Sequence, residues 1–220
     1  FGNREAIAKE KKDILLNLKT NGVAILPMDS EFFDLLSKGI GGEKILSFGM
    51  SDEADISCEF LEGKKILIKT PTFDIKIKSG LLGYNNVSNI LAAVACAYAL
   101  KIDPKRIKEG IENVKPMPGR LELKRGIKNT YIIDDTYNAN PSSFQLAIDV
   151  LKDFESKKIL VIGDMAELGE DSIIYHQELA RSIKEAKIDI TLAVGKHSKE
   201  LIKVLGEENI WFENKEDLTK

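Results

Sequence analysis

The ten residues from Asp134 to Ser143, Asp-Asp-Thr-Tyr-Asn-Ala-Asn-Pro-Ser-Ser, include the side chains of this chain best suited to bind a ligand. They follow the apolar run Tyr131-Ile132-Ile133, which predicts a strand, and Pro141 is typical of the first turn of a helix. The carboxyl end of a strand beside a helix N-terminus attracts anions, because backbone N–H groups are free there. The sequence therefore predicts a ligand-binding edge at this point.

Two side chains of this string have a chemistry that suits a nucleotide. The carboxylate of Asp135 can accept hydrogen bonds from a ribose, and the ring of Tyr137 can lie against a flat base. The alternative is an acidic turn in which Asn140 only caps the following helix, since Asn and Asp are common in turns and caps. The acid pair by itself leaves both interpretations open.

Two further motifs carry polar side chains at places that suit ligand binding. Asn86 and Asn89 lie three residues apart, so on a helix their amides share one face, where they suit the edge of an adenine ring. The alternative is that Asn85 or Asn86 caps the helix. Arg120, at a break in periodicity, either makes a forked contact with a phosphate or pairs with Glu122 on the surface.

A fourth motif, Gly163-Asp164-Met165-Ala166-Glu167-Leu168-Gly169, follows the predicted strand 158–162 on the ligand side of a strand–helix unit. Its acids, Asp164 and Glu167, either hold an ammonium group or cap the next helix. It does not match the GxGxxG fingerprint, and the sequence contains neither a GxxxxGK[ST] phosphate loop nor a GxSxG nucleophile motif.

Composition describes a globular protein and argues against several classes of partner. Of the 220 residues, 43% are hydrophobic and 30% charged, which is enough to build a core. The net charge of −3 is interspersed, so we expect no nucleic-acid partner, and no apolar run is long enough to span a membrane. Cys58 and Cys96 lack CxxC spacing and are predicted to be buried free thiols, and two histidines make a zinc site improbable.

The order of periodic segments predicts an α/β fold in two parts. The first part contains predicted helices at 4–19, 32–36, 86–100 and 104–113 and predicted strands at 23–26, 44–48, 56–61, 65–69 and 73–78. Residues 114–119, Val-Lys-Pro-Met-Pro-Gly, break every periodicity. Two consecutive strands at 121–124 and 131–134 follow, and strands at 158–162, 190–194 and 209–212 then alternate with helices, which predicts parallel βαβ units.

Taken in order, these motifs resemble those of the Mur ligases of bacterial cell-wall synthesis. The string Asp134-Asp135-x-Tyr137-Asn138-Ala139-Asn140-Pro141, the Gly163 to Gly169 motif with His176 after it, and the opening Phe1-Gly2-Asn3-Arg4-Glu5-Ala6-Ile7-Ala8-Lys9 all match. The resemblance is collinear over nearly all 220 residues. It implies a partial central ATP-binding domain at 1–114, a hinge at 115–119, and a truncated Rossmann-like C-terminal domain with a mainly parallel sheet at 120–220.

The resemblance also implies an activity, two cofactors and a set of site residues. It implies a cytoplasmic, monomeric ATP- and Mg²⁺-dependent ligase that joins D-alanyl-D-alanine to UDP-N-acetylmuramoyl-tripeptide through an acyl phosphate. Lys11, which composition does not single out, matches a lysine that is carbamylated and helps to bind Mg²⁺. The remaining assignments follow the motifs: Asn86 and Asn89 for adenine, Arg120 for a phosphate of ATP, Asp135 for ribose with Tyr137 and Asn140 completing that edge, and Asp164 and Glu167 for the incoming dipeptide.

Two departures from the family pattern and two alternatives accompany this hypothesis. Asn85 stands where the family usually has histidine, and the phosphate-binding loop is absent from these residues, so we expect this chain by itself not to turn over ATP. The alternatives are a related ligase with another acceptor, of the diaminopimelate-adding or folylpolyglutamate type, and a nucleotide-binding module without turnover.

Overall fold

A computed structural model describes residues 3–41, 44–63, 65–166 and 168–219. Within the last range, only the backbone of Glu170 is described. The chain divides into two compact units, Phe1–Lys115 and Pro116–Lys220. Both mix helices with strands, in agreement with the predicted α/β class. Within the described residues, no helix has the length and apolar character needed to cross a membrane.

Helices and strands of the first unit follow the predicted order. The helices are α1 (Arg4–Leu16), α2 (Phe33–Ser37), α3 (Tyr84–Ala99) and α4 (Pro104–Glu112). The strands are β1 (Ala24–Pro27), β2 (Ile45–Phe48), β3 (Ser57–Leu61), β4 (Lys65–Lys69) and β5 (Asp74–Ile77). Asp103 caps α4 by accepting from Lys105 N–H at 2.9 Å, and Pro104 occupies its first turn.

The strands of the first unit form two sheets of different kinds. β1 and β2 pair in parallel, with Ala24 opposite Ile45. β3, β4 and β5 form an antiparallel sheet, in which Ile75 and Ile77 of β5 are buried while Lys76 between them is exposed. The predicted alternation of β5 is therefore confirmed, and these isoleucines join a core with Leu91, Val94 and Ala95 of α3.

The second unit contains the parallel sheet that its alternating pattern predicts. Its strands are β6 (Glu122–Arg125), β7 (Tyr131–Asp134), β8 (Ile159–Gly163), β9 (Ile190–Val194) and β10 (Ile210–Phe212). Its helices are α5 (Pro141–Lys152), α6 (Ser172–Glu185), α7 (Ser198–Leu205) and α8 (Lys215–Leu218). β8, β9 and β10 form a parallel sheet in the order β10-β9-β8, whereas β6 and β7 pair antiparallel because only a short turn joins them.

Two features of the first unit differ from prediction. α1 ends at Leu16 rather than near residue 19, where Asn17 forms the C-cap and its side-chain amide donates to the carbonyl oxygen of Asp13 at 2.7 Å. Cys58 is a buried free thiol, but Cys96 is exposed. The apolar surroundings of Cys96 in the sequence were misleading, because it lies on the face of α3 away from the core.

Asp164 joins the ends of two neighbouring parallel strands. It follows β8, and its carboxylate accepts hydrogen bonds from the backbone N–H groups of His197 at 3.1 Å and Ser198 at 2.7 Å, and from the Ser198 hydroxyl at 2.6 Å. These groups open α7, so Asp164 caps α7 rather than the next helix, α6. We call this arrangement, an aspartate after one strand bound to the segment after the neighbouring strand, a carboxylate brace.

The first unit contains a second carboxylate brace. Asp29 follows β1, and its Oδ2 accepts from the N–H of Met50, after β2, at 2.7 Å. Each brace faces a glycine: a Cβ on Gly49 would lie 2.8 Å from the Asp29 oxygens, and one on Gly195 would lie 2.5 Å from the Asp164 carboxylate. Glycine is required at both places because any side chain would displace the carboxylate.

Ionisation of Asp164 strengthens its brace. Burial raises the pKa of Asp164 and is the largest single effect, but the hydrogen bonds from Ser198 and His197 and the nearby His176 together lower this pKa below its ordinary value. A group whose pKa is lower in the folded state stabilises that state above its unfolded pKa. This contribution is lost as the pH falls through the folded pKa.

We predict that Asp164→Asn lowers the free energy of unfolding of the second unit at neutral pH by about 1–2 kcal/mol, since the cap loses its charge. The difference from wild type should shrink as the pH falls through the pKa of Asp164. Urea unfolding followed by fluorescence of Trp211, the single tryptophan, reports on this unit. Asp149→Asn, at a half-exposed carboxylate on α5, is the control; a difference that persists or grows in acid contradicts the prediction.

We predict that Gly195→Ala destabilises the second unit more than Gly206→Ala does. Both glycines have positive φ, +122° and +101°, but only Gly195 has the Asp164 carboxylate in the space of the new Cβ. The φ strain costs roughly 1–3 kcal/mol in each variant, so their difference measures the clash. In an Asp164→Ala background, where the carboxylate is gone, Gly195→Ala and Gly206→Ala should have equal costs in Trp211-monitored unfolding; equal costs already in the wild-type background would refute the clash.

Candidate functional site

The segment Gly119–Leu121 is bound to the end of β7 in the second unit. Tyr137 N–H donates to the carbonyl oxygen of Gly119 at 3.1 Å, and Leu121 N–H donates to Oδ1 of Asp135 at 3.1 Å. Gly119 is buried with φ +72°, and a Cβ there would lie 3.1 Å from the Tyr137 nitrogen. Arg120 lies between Gly119 and Leu121, the two residues that these hydrogen bonds hold. The bonds therefore bring Arg120 together with Asp135 and Tyr137, two other predicted site residues.

Arg120 stacks on Tyr137 instead of pairing with Glu122. Its Cζ atom lies 3.9 Å from the centre of the Tyr137 ring, a cation–π contact, whereas Glu122 pairs with Lys124 at 3.1 Å. The surface Arg120–Glu122 pair is thus not formed. Both Arg120 and Tyr137 remain exposed, so a planar guanidinium and an aromatic ring are presented together at the carboxyl end of β7.

Asn140 occupies the position of a helix cap. Its Oδ1 accepts from Ser143 N–H at 2.9 Å, and the Ser143 hydroxyl accepts from Asn140 N–H at 2.9 Å, which completes a capping box at the start of α5. The capping interpretation of Asn140 is therefore confirmed, while a contact with nucleotide stays a prediction.

The first acid of the string, Asp134, is held by an ion pair. It bonds Lys124 at 2.5 Å, and this contact first, with the Thr136 hydroxyl next, lowers the pKa of Asp134. Asp135, by contrast, keeps one carboxylate oxygen free within the described part of the chain. Its Oδ1 accepts from the N–H of Leu121, and its Oδ2 has no partner among the described residues.

Asn86 and Asn89 share one face of α3, as their spacing predicts. Asn89 Nδ2 donates to Asn86 Oδ1 at 3.4 Å, and Asn86 Nδ2 donates to the carbonyl oxygen of Leu82 at 2.6 Å. The capping interpretation of Asn85 or Asn86 is wrong, because α3 begins at Tyr84 with Gly83 as its N-cap. The amide face is thus anchored to the loop before the helix.

Lys11 is exposed on α1 and lines a cavity of about 270 Å³ with Arg4, Ser30 and Phe32. Arg4 at this cavity is already paired with Glu31 at 2.5 Å, so the ammonium group of Lys11 is the charge that suits an anionic group. Among the residues that the structure describes, no group of three or more His, Cys, Asp and Glu side chains could hold a metal ion.

Asp164 serves as a brace, and Glu167 lies outside the described residues. Their predicted contacts with substrate therefore remain predictions. Sequence reasoning missed Asp29, although it follows an apolar strand in the same way as Asp135 and Asp164 and could have been found by that signal. It also gave no function to His176, whose complete burial no sequence signal indicated.

Comparison with known families gives two adjacent matches. Residues 1–97 match the Mur ligase middle domain, and residues 119–220 match the glutamate ligase domain of Mur ligases. The nucleotide-suited side chains described above fall within both matched regions. Together the two matches leave only residues 98–118 unmatched.

Individual relatives have one name in common. The chain is 37% identical, over 226 residues, to UDP-N-acetylmuramoyl-tripeptide--D-alanyl-D-alanine ligase of Buchnera aphidicola subsp. Acyrthosiphon pisum, covering 100% of the chain and 50% of that protein. It is 34% identical to the ligase of the same name from Escherichia coli, covering 90% of the chain and 45% of that protein. The chain thus spans about half the length of the curated relatives it matches.

Solved structures agree in fold over nearly the whole chain. A crystal structure of MurF from Acinetobacter baumannii superposes with a TM-score of 0.86 at 30% identity, covering 99% of this chain and 48% of that one. MurF of Thermotoga maritima in complex with ADP gives 0.78 at 25% identity, covering 99% and 50%. With both domain matches and this common fold, the chain belongs to the Mur ligase family and contains its middle and C-terminal domains.

Proposed function

We propose that this chain is part of an ATP-dependent ligase that adds D-alanyl-D-alanine to UDP-N-acetylmuramoyl-tripeptide in peptidoglycan precursor synthesis. The observation that carries the proposal is the cluster of Arg120, Tyr137 and Asp135 at the carboxyl end of β7. A cation, an aromatic face and a carboxylate are the groups that phosphate, base and ribose require. The names of the relatives supply the acceptor and the peptide.

The proposed reaction has two steps. A carboxylate oxygen of the tripeptide attacks the γ-phosphorus of ATP, and the bond between this phosphorus and the bridging oxygen breaks. ADP departs, and the tripeptide now carries an acyl phosphate. The amine of D-alanyl-D-alanine then attacks the carbonyl carbon, phosphate leaves with the electron pair of the C–O bond, and the nitrogen loses a proton. Such chemistry depends on positioning and on neutralising charge more than on a protein nucleophile.

In the second unit, each residue of the cluster has a separate task in this proposal. Arg120 contacts a phosphate, because its guanidinium is exposed and already held in place by the ring beneath it. Tyr137 provides an aromatic face for the base, and the remaining oxygen of Asp135 accepts from a ribose hydroxyl. Asn140 adds its amide to the same edge, at the N-terminus of α5.

In the first unit, the proposal rests more heavily on family resemblance. Asn86 and Asn89 present amide groups for an adenine edge, and their hydrogen bond keeps both on one face of α3. Lys11 is the residue that the resemblance assigns to a carbamate. Mg²⁺ is proposed only on that resemblance, since the described residues supply no cluster of ligands for it.

The proposal includes the surroundings in which the protein acts. We propose a cytoplasmic monomer with small-molecule substrates, in which residues 115–119 act as a hinge, residues 1–114 belong to the ATP-binding domain and residues 120–220 to the C-terminal domain. The interspersed net charge of −3 supports the absence of a nucleic-acid partner.

We predict that Asp135→Ala in the full-length protein raises the KM for ATP about ten-fold or more. A hydrogen bond to a charged group contributes about 1.5–3 kcal/mol, and 1.4 kcal/mol corresponds to a factor of ten. Steady-state ADP release measures the effect. Asp134→Asn, which changes the neighbouring acid paired with Lys124, is the control and should leave the KM nearly unchanged; an unaltered KM in Asp135→Ala would show that Asp135 is only a structural turn.

We predict that the full-length protein releases ADP with D-alanyl-D-alanine and not with diaminopimelate or glutamate as the amine. Each candidate amine is supplied with ATP and the matching UDP-linked precursor, and ADP release is coupled to a spectrophotometric signal. Turnover with diaminopimelate or glutamate instead would identify a relative with another acceptor. Binding of ADP in calorimetry without turnover of any amine would favour a nucleotide-binding module.

A further inference from the structure

One face of the parallel sheet in the second unit is apolar and lies outside the buried core of the described residues. Side chains at paired positions of β8, β9 and β10 share a face, because Ile159 lies opposite Ile190 and Ile210 lies opposite Leu192. We call the side that carries these four residues the open face. Its full set of side chains is Ile159, Val161, Ile190, Leu192, Val194, Ile210 and Phe212.

The opposite face of the same sheet is covered by helices. Ile162 and Ala193 lie on it, at 4% and 0% exposure. They belong to the buried core that α5, α6 and α7 complete with Ile148, Leu179 and Leu201. Within the described part of the chain, none of the seven residues of the open face belongs to this core or packs against it. The helices that follow β7, β8 and β9 thus cover one side of the sheet.

Side chains of the open face are exposed even in the middle of a strand. Val161, at the centre of β8, is 56% exposed, while Ile159 is 51% and Ile210 49% exposed. Parallel sheets occur almost only with both faces covered, and a contiguous apolar surface marks a place where another element packs. The open face therefore requires an occupant.

The order of the strands indicates which segment this occupant is. The sheet extends in one direction, from β8 to β9 to β10, and the other edge of β8 has no strand partner among the described residues. Crossovers between parallel strands are right-handed, so helices that lead from strand to strand in this direction all lie on one face. A segment that returned from β10 to the free edge of β8 would run the opposite way, and its helix would therefore lie on the open face.

The short helix α8 is placed at the start of such a return. It follows β10, Asn214 caps it by accepting from Asp217 N–H at 2.9 Å, and it packs against β9 and β10. Its four residues make a helix about 6 Å long, whereas three adjacent strands span about 10 Å. Curated relatives are about twice as long as this chain, so they have further residues that could extend the cover.

We propose that the open face is the docking site for the segment that follows α8 in the full-length protein. The segment continues as a helix across the open face and then pairs as a parallel strand with the free edge of β8. It presents aliphatic side chains to residues such as Val161 and Leu192, because the open face has no charged or polar side chain. The inference follows from the topology of the sheet and does not depend on the proposed substrates.

The first test measures the rate at which a maleimide labels single introduced cysteines in the full-length protein, with peptide mapping by mass spectrometry. Val161→Cys lies on the open face and Ile174→Cys on α6, at positions that are 56% and 52% exposed in this structure. We expect Val161→Cys to react at least about ten-fold more slowly, since a covered thiol is labelled only through local opening. In urea the two rates should be equal.

Equal labelling rates in the folded protein would overturn the inference, because the open face would then be in contact with solvent. Protection of Val161→Cys that disappears on dilution would overturn it as well, since the occupant would be a second copy of the protein. Thermal unfolding shows whether each variant is folded. If Val161→Cys is not, Ile159→Cys on the same face takes its place.

A second measurement identifies the occupant. Ile210 is replaced by the photo-crosslinking residue p-benzoylphenylalanine, which lies at the rim of the open face, and the purified full-length protein is irradiated. We expect attachment to a residue beyond position 220 of the same chain. Attachment only to residues within positions 1–220, or only to a second copy, would overturn the inference. Neither measurement uses ATP or an acceptor amine, so its failure is distinguishable from failure of the proposed function.

Discussion

The carboxylate that follows a strand and binds the backbone of the adjacent segment is the interaction on which the functional edges of this protein depend. It occurs with Asp29 in the first unit and with Asp164 in the second. Asp135 makes a related bond across an antiparallel pair, to Leu121 just before β6. Parallel strands have no hairpin to hold their carboxyl ends together, and their connecting loops leave N–H groups without partners. An ionised carboxylate satisfies these groups with hydrogen bonds about twice as strong as neutral ones.

The braces also explain where the chain tolerates only glycine. Gly49 and Gly195 lie against the carboxylates of Asp29 and Asp164, and Gly119 lies against the backbone of Tyr137. The neighbouring atoms leave no room for a Cβ at these three positions. A larger residue at any of them would push the carboxylate or backbone that it faces out of place. The close approach at Gly119 also places Arg120 over the Tyr137 ring, so the geometry of this stacked pair begins with a backbone constraint.

The helices and strands of this fold could be predicted from sequence better than the hydrogen-bond partners of its aspartates. Periodicity and capping residues such as Asp103 and Asn140 place most strands and helices, because these signals are local. The end of α1 was missed because the Asn17 side chain caps the helix there, and the exposure of Cys96 was missed because it depends on which face of α3 meets the core. The burial of His176 and the partner of Asp164 were also out of reach, because they join residues 11 and 34 positions apart.

The hydrogen-bond capacity of each carboxylate separates the acids that can bind ligand from those that maintain the fold. Asp164 accepts from His197 and twice from Ser198, so an ammonium group would have to compete with bonds that cap α7. Asp135 accepts only from Leu121 among the described residues and retains one oxygen that can accept a further hydrogen bond. The same sequence pattern, an acid after a strand, thus gives at β7 a carboxylate with one oxygen that the described residues leave unpartnered, and at β8 a carboxylate whose two oxygens both accept backbone hydrogen bonds.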